Sequence, residues 1–246
     1  MFKSKLLRKL TPSIIKKHQR KLRDKQIAEE FSGLSNAEVF EKIYDEKRWG
    51  MPDASGRQYS SGDGTRDKEI VSEYVAAVTR FLSNHKDVKS GLDLGCGDFS
   101  VGVAFCDFFE DYKAMDVAKN VVAENKNFYR TKKVKFSTVD LANGEIPTTD
   151  VIFVRQVLQH LSNKEIKKFV KNIEGKFRYL IVTESLSKSK SFSANKDIIT
   201  GPGIRIHEKS GVVLEADPFN LNFSKSEIIL EESKGREFFV TKVYSV

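Results

Sequence analysis

The chain has 246 residues, 39% of them hydrophobic, enough for one large domain with its own core and a small appendage. No apolar run approaches the 18 residues that a membrane span requires, and no apolar segment with a small-residue cleavage site follows the basic start, which argues against a secretory signal. The two cysteines, Cys96 and Cys106, lack C-x-x-C spacing and have no histidine cluster beside them. That pattern suggests neither a disulfide framework nor a zinc site, and reads as free thiols in a cytosolic protein. The net charge of +8 is unevenly placed. Residues 1 to 25 hold ten Lys or Arg and one acid, Asp24, for +9, so the other 221 residues sum to −1.

The basic arm, MFKSKLLRKLTPSIIKKHQRKLRDKQIAEEF, reads as two helical pieces. Phe2, Leu6, Leu7, Leu10, Ile14 and Ile15 fall at helical spacing. Thr11 and Pro12 make an N-cap and first-turn signal that restarts the helix. Such an arm fits an interfacial helix on an anionic membrane. It equally fits a solvated charged helix, or one packed on its own domain. Nucleic-acid binding is the weaker reading, because base-stacking aromatics are not interleaved with the charges.

Residues 36–64 begin helical and become a Gly-, Ser- and Asp-rich loop, a cap segment between the arm of residues 1–35 and a domain of residues 65–246. Thr65 is a candidate cap for the next helix, in which Ile70, Tyr74, Val78, Phe81 and Leu82 share one face. From residue 90 strands and helices alternate. The order is the strand GLDLG, a helix over Val101–Phe109, the strand YKAMD, a helix over Val117–Asn125, then the strands VKFSTVD and DVIFVR. Ser162 and Glu165 have capping-box spacing before a helix whose inner face is Ile166, Phe169, Val170 and Ile173. The strand YLIVTES follows. SEIILEE and REFFVTKVYSV, around Lys234–Gly235, then form an antiparallel hairpin at the sheet edge. The expected fold is α/β: a doubly wound, mostly parallel sheet with a C-terminal antiparallel hairpin, plus the N-terminal helical arm.

The stretch SGLDLGCGDFSVG, residues 90–102, places Gly95 and Gly97 directly after the first strand. Glycines there let a nucleotide-like ligand approach the backbone. A dinucleotide fingerprint needs glycine at position 100, which is Ser100, and a P-loop needs Gly-Lys-Ser/Thr, which is absent. Asp93 points to S-adenosylmethionine, which carries an ammonium and a sulfonium. A carboxylate near the turn can orient waters or amides toward the methionine part. Asp116 ends the second strand, 19 residues after Gly97, where an acid can accept from both ribose hydroxyls. Asp140 can accept from the adenine amino group, with Leu141 packing on the ring.

GLDLGCGDFSVG, the Asp116 end of YKAMD, VDL and DVIFVRQVLQHLSN together resemble the Rossmann-like S-adenosylmethionine-dependent methyltransferases over roughly residues 65–246, closing hairpin included. The upstream IYDEKRWG…SSGDGT is similar to a segment in bacterial methyltransferases linked to surface polysaccharides. The resemblance implies that Asp93, Gly95 and Gly97 shape the methionine end, Asp116 binds the ribose, and Asp140 and Leu141 bind the adenine. It also implies that Arg155 and Gln156 lie beside the methionine part or the reacting centre. Phe99 stands where that family often has a third glycine, and is expected to narrow the room beside the cofactor.

Methyl transfer from a sulfonium chiefly demands alignment of the nucleophile, and a hydroxyl acceptor gains from a base. Candidate bases are His160, His207 and Glu184. Residues 187–222 form a long Gly- and Pro-containing segment, a candidate lid carrying Arg205 and His207. Trp49 and Tyr59 are placed to close the other side. Arg57 and Arg66 lie near a helix start that can hold a carboxylate or phosphate. The resulting expectation is a methyltransferase acting through oxygen on a small molecule, sugar or surface-glycan precursor in polysaccharide biosynthesis. It is cytoplasmic or peripheral to the inner face of the membrane through residues 1–25. The alternatives are an RNA or protein methyltransferase whose arm grips an acidic polymer, or a non-catalytic cofactor-binding scaffold. No Asn/Asp-Pro-Pro-aromatic motif supports methylation of base amino groups.

Overall fold

The computed structural model describes Ile15, Leu22, residues 25–52 and residues 56–246. The chain divides into two compact units, residues 1–34 and residues 35–246. In the first, residues 25–30 are helical. The stripe from Phe2 to Ile14 and the Thr11–Pro12 helix start lie outside the described residues. Among the described residues no helix is long and apolar enough to cross a membrane.

The second unit is built on a seven-stranded sheet. Its strands are β1 (Ser90–Leu94), β2 (Asp111–Asp116), β3 (Lys135–Thr138), β4 (Val151–Arg155), β5 (Tyr179–Ser187), β6 (Lys225–Lys234) and β7 (Glu237–Ser245), in the order β3-β2-β1-β4-β5-β7-β6. The first five run parallel. Their central members are apolar nearly throughout because both faces are covered. The hairpin is antiparallel, and its second strand is the inner one: β7 pairs with β5, and β6 forms the outer edge. Facing hydroxyls of Thr183 and Thr241, 2.9 Å apart, satisfy each other inside that pairing. A register shift between Ile228 and Leu230 bends the edge strand, which discourages edge-to-edge pairing with another sheet.

Among the described residues beside the sheet, four helices are of ten residues or more: α1 (Asn36–Asp45), α2 (Lys68–Asn84), α3 (Lys119–Phe128) and α4 (Asn163–Ile173); Asp63–Arg66 is a single helical turn. Helix α1 carries a full capping box. Ser35 Oγ accepts from the Glu38 amide, and Glu38 accepts from the Ser35 amide at 2.8 Å. The box expected at Ser162 and Glu165 is half made. Ser162 caps α4, but the Glu165 carboxylate reaches Lys168 and Asn36 instead of returning to the backbone. The cap of α2 is Asp67, not Thr65, whose hydroxyl donates to Gly62 O at 2.9 Å. The helix expected over Val101–Phe109 is a 3-10 helix over Gly102–Phe108. Helix α3 starts two residues later than its pattern suggested, because the Asp116 carboxylate takes the Ala118 amide and keeps that turn out of the helix.

The core beside β1 is aromatic. Phe105 stacks on Phe153 and Phe109 on Tyr112, at 5.5 and 5.2 Å. Phe99 belongs to this core and does not line the cleft below. Its backbone is left-handed (φ 58°), a conformation that favours glycine, and its ring is turned inward against Phe136 and Tyr129 at 4.9 and 5.2 Å. The expectation that it narrows the ligand site is therefore corrected. Phe99→Gly would relieve roughly 1–2 kcal/mol of backbone cost and forfeit roughly 3–5 kcal/mol of buried ring. The variant should lose stability in denaturant unfolding, and an unchanged midpoint would show that the ring's packing is not why Phe stands there.

Candidate functional site

Strand order reverses between β1 and β4, so the connections leave a crevice beyond their carboxyl ends. A cleft opens there. With its open mouth it encloses about 1040 Å³. Its lining contains all eight residues expected to meet a cofactor, Asp93, Gly95, Gly97, Asp116, Asp140, Leu141, Arg155 and Gln156, together with Trp49 and His160.

The glycine turn is fastened by Asp116. Its Oδ2 accepts from the Gly97 amide and its Oδ1 from the Ala118 amide, both at 2.9 Å. Burial raises the Asp116 pKa, and these amides hold it back. Gly95 and Gly97 have φ of 72° and 55°. A Cβ would fall 2.5 Å from Val157 at the first and 2.2 Å from Ser61 Oγ at the second, so neither position admits another residue. Ser61 exchanges two hydrogen bonds with Asp98. Its amide donates to Asp98 Oδ2 at 2.8 Å, and its hydroxyl accepts from the Asp98 amide at 2.7 Å.

Asp93 is buried and accepts no hydrogen bond among the described residues. Burial pushes its pKa up to about 7; Asp116 adds to this and Arg155 opposes it. Arg155 donates to Gly64 O at 2.7 Å and lies over the Tyr74 ring at 4.9 Å, with its Nε unpartnered. It is the sole lysine or arginine in the described lining, against four aspartates, Asp93, Asp98, Asp116 and Asp140. The cleft therefore favours a ligand with cationic groups. Gln156 takes a left-handed backbone (φ 59°), and its side chain bridges to Ser185 Oγ and Gln159. Asp140 accepts from the Ala142 amide at 2.9 Å and from Asn143 Nδ2 at 2.7 Å, and so also organises the turn after β3.

On the other wall, His160 meets Trp49 at 4.9 Å between ring centroids and donates from Nδ1 to Gly203 O at 3.0 Å. That bond leaves the lone pair of the neutral ring on Nε2. Packing around the ring disfavours its charged form and draws its pKa down to about 4.

The other expected site residues lie elsewhere. Glu184 does not line the cleft. It accepts from the amides of Leu158 and Gln159 at 2.9 and 3.1 Å and so caps the short 3-10 helix Leu158–His160. Arg205 is fully buried and donates to Leu161 O, Lys196 O and Asn163 Oδ1, which leaves it no substrate to hold. His207 is exposed and outside the lining. Tyr59 is also outside it, donating to Asp45 at 3.2 Å. Arg57 is committed to Glu124 and Asn125, and Arg66 to Ser60 and Met51 O. No residue of the segment after β5 is in the described lining; the segment packs behind His160, where Gly203 O accepts from the ring and the Gly201 amide donates to His160 O. Sequence reasoning missed Asn36, Phe40 and Tyr44, which line the cleft from α1. Their spacing of four in NAEVFEKIY was the available signal.

Residues 92–178 match the family model described as a methyltransferase domain. The chain carries a methyltransferase domain. No curated protein matches the chain. Among solved structures, the methyltransferase domain resembles magnesium protoporphyrin IX methyltransferase from Synechocystis PCC 6803 with bound SAM, at 15% identity and TM-score 0.54, covering 87% of this chain and 99% of that one. It also resembles the N-terminal domain of EvdMO1 with SAH and D-fucose, at 11% identity and TM-score 0.53, over 87% and 98%. A Clostridium acetobutylicum S-adenosylmethionine-dependent methyltransferase is matched at 18% identity and TM-score 0.43 over 48% of this chain; the chain spans about half of that protein, 52%. At these identities the likeness is one of fold: the Rossmann-like fold of class I methyltransferases.

Burial pushes Glu184 up to about 8, against the pull of the amides and of Arg205. A carboxyl raised above its unfolded value of roughly 4.3 binds more protons folded than unfolded. It therefore contributes most below pH 4.3, and the contribution is lost as pH rises through about 8. Thermal melts of wild type and Glu184→Gln from pH 5 to 9 should show the wild type losing stability relative to the variant as pH rises. Parallel curves would mean that Glu184 titrates normally.

Proposed function

We propose that this methyltransferase domain works with S-adenosylmethionine and passes the methyl group to a hydroxyl oxygen of a small molecule or sugar, with a surface-glycan precursor as the favoured class. One observation carries the reading: Asp93, Asp116 and Asp140, at or near the carboxyl ends of β1, β2 and β3, and the glycine turn share a single cleft with Trp49 and His160. The residues present fit the cofactor. Asp93 is a buried carboxylate with no hydrogen-bond donor among the described residues, suited to the cationic methionine end. Asp116 has lone pairs beyond its two amide contacts for the ribose hydroxyls. Leu141 offers an apolar surface to the adenine. When bound, the cofactor supplies an activated methyl group, so the chain's main task is alignment.

Trp49 and His160 form the acceptor wall in this reading. His160 presents Nε2 as an acceptor for the hydroxyl proton, its ring oriented by the Gly203 carbonyl. A base with a pKa near 4 is a weak one, so it adds less than alignment does. A sugar is the first acceptor class to test, since a domain of the same fold was crystallised with D-fucose. The arm of residues 1–25, at +9, would bring the enzyme to an anionic surface. Deleting it should abolish salt-sensitive co-sedimentation with anionic vesicles, and retention of vesicle binding would discard that role.

Two substitutions separate binding from chemistry. Asp116→Ala should weaken S-adenosylhomocysteine binding by about 10²-fold, two charge-assisted hydrogen bonds being lost. Unchanged affinity in calorimetry would take Asp116 out of the site. His160→Asn should lower kcat by about 10²-fold on an identified acceptor while cofactor affinity stays level. Wild-type kcat should show no histidine titration between pH 6 and 8. Full turnover by His160→Asn would leave alignment as the whole of the chemistry.

A further inference from the structure

Asp140 is crowded with donors. A carboxylate offers about four lone-pair sites, and four donor contacts reach this one. The Ala142 amide meets Oδ1 at 2.9 Å, and Asn143 Nδ2 meets Oδ2 at 2.7 Å. The other two come from one atom: Asn36 Nδ2 lies 3.1 Å from Oδ2 and 3.3 Å from Oδ1. Two of the donors belong to the turn after β3. Asn36 comes across the cleft from the first turn of α1, 104 residues away in sequence.

The cofactor reading gives Asp140 the adenine amino group as its partner, and the inference here rests on that reading. An asparagine amide and an adenine amino group are the same kind of donor, a planar NH₂ on an sp² carbon. They compete for the same lone pairs. The Asn36 contacts are long and bifurcated, whereas those from Ala142 and Asn143 are short. Asn36 is therefore the donor that yields. It also has somewhere to go, because the same Nδ2 already lies 3.1 Å from Glu165 Oε2, while Glu165 Oε1 is occupied by Lys168 at 3.1 Å.

We propose that Asn36 competes with the cofactor's adenine amino group for Asp140, so that cofactor entry hands Asp140 to the adenine and leaves Asn36 on Glu165. Helix α1 carries Phe40 and Tyr44 in the cleft wall. Releasing Asn36 from Asp140 thus couples adenine binding to the position of that wall.

Calorimetry with S-adenosylhomocysteine tests this without any acceptor. Asn36→Ala should bind it about tenfold more tightly than wild type, because a charge-assisted hydrogen bond no longer has to be displaced. Asn36→Ser, too short to span the gap, should behave likewise. The capping box of Ser35 and Glu38 is untouched by either change, and thermal melts check that both variants fold. An analogue whose adenine amino group is replaced by hydrogen should show no gain in either variant. If both variants bind S-adenosylhomocysteine as wild type does, or more weakly, the competition is wrong and Asn36 belongs to the adenine site. An equal gain for the analogue also overturns it. Wild type that binds no S-adenosylhomocysteine would sink the cofactor reading itself, and this proposal with it.

Discussion

The hydrogen bond from the Gly97 amide to Asp116 is the contact on which the cleft is organised. It pulls the turn after β1 over the end of β2 through a left-handed residue at position 97, where a Cβ would meet Ser61 Oγ at 2.2 Å. The bare Cα then admits Ser61 against the turn, and Ser61 and Asp98 close a reciprocal pair of hydrogen bonds. Ser61 Oγ lies 3.3 Å from the Tyr44 hydroxyl, which extends the chain of contacts to α1. One carboxylate at a strand end thus sets the floor of the cleft and the seat of the segment that covers it.

The same arrangement is electrostatically costly. Asp93 and Asp116 are buried together, and each disfavours the charge of the other. Holding Asp93 near 7 amounts to roughly 4 kcal/mol against its ionisation. Backbone amides compensate Asp116, and Asp98 has the amides of Ser61 and Ser100. Asp93 accepts no hydrogen bond among the described residues, and the charge of Arg155 is what opposes its shift. A fold selected for stability alone would place an apolar residue there. A cationic ligand reverses the balance, because it turns the unpaired carboxylate from a penalty into a binding contact.

Much of this was legible in the sequence, for a definite reason. Strands covered on both faces read as apolar runs, and an acid or glycine that ends such a run stands out against it. Asp93, Gly95, Gly97 and Asp116 were found that way. The rule fails where two acids look alike from their setting. In the sequence Glu184 stands near the end of the run YLIVTES much as Asp116 ends YKAMD, yet the amides of Leu158 and Gln159 in a neighbouring 3-10 helix claim it. Arg205 and His207 sit in one exposed-looking loop, and only tertiary packing buries the first. Asp67 and Thr65 are both competent caps, and the choice falls to the residue whose side chain reaches the Ile70 amide. For Phe99 a backbone demand for glycine and a core demand for an aromatic ring coincide at one position. No local pattern says which prevails.

The two sides of the cleft are fastened by interactions of different kinds. The segment after β5, which backs His160 through Gly203 O, is pinned from inside. Arg205 serves two carbonyls and Asn163, and the Asn195 amide serves the carbonyls of Val213, Ala216 and Asp217. Pulling that segment away would strand buried polar groups, at roughly 1–3 kcal/mol each. Helix α1 buries Val39, Phe40, Ile43 and Tyr44, while its polar contacts with α3 lie at the surface. Glu41 reaches Lys119, whose side chain is 79% exposed, and Asp45 reaches Asn120. Exposed ion pairs are worth roughly 0–1 kcal/mol, because water replaces either partner. The His160 wall is thus the fixed reference against which an acceptor is aligned. The polar ties of α1 to α3 can open at little cost, so what holds the α1 wall is the burial of its apolar face, Val39, Phe40, Ile43 and Tyr44.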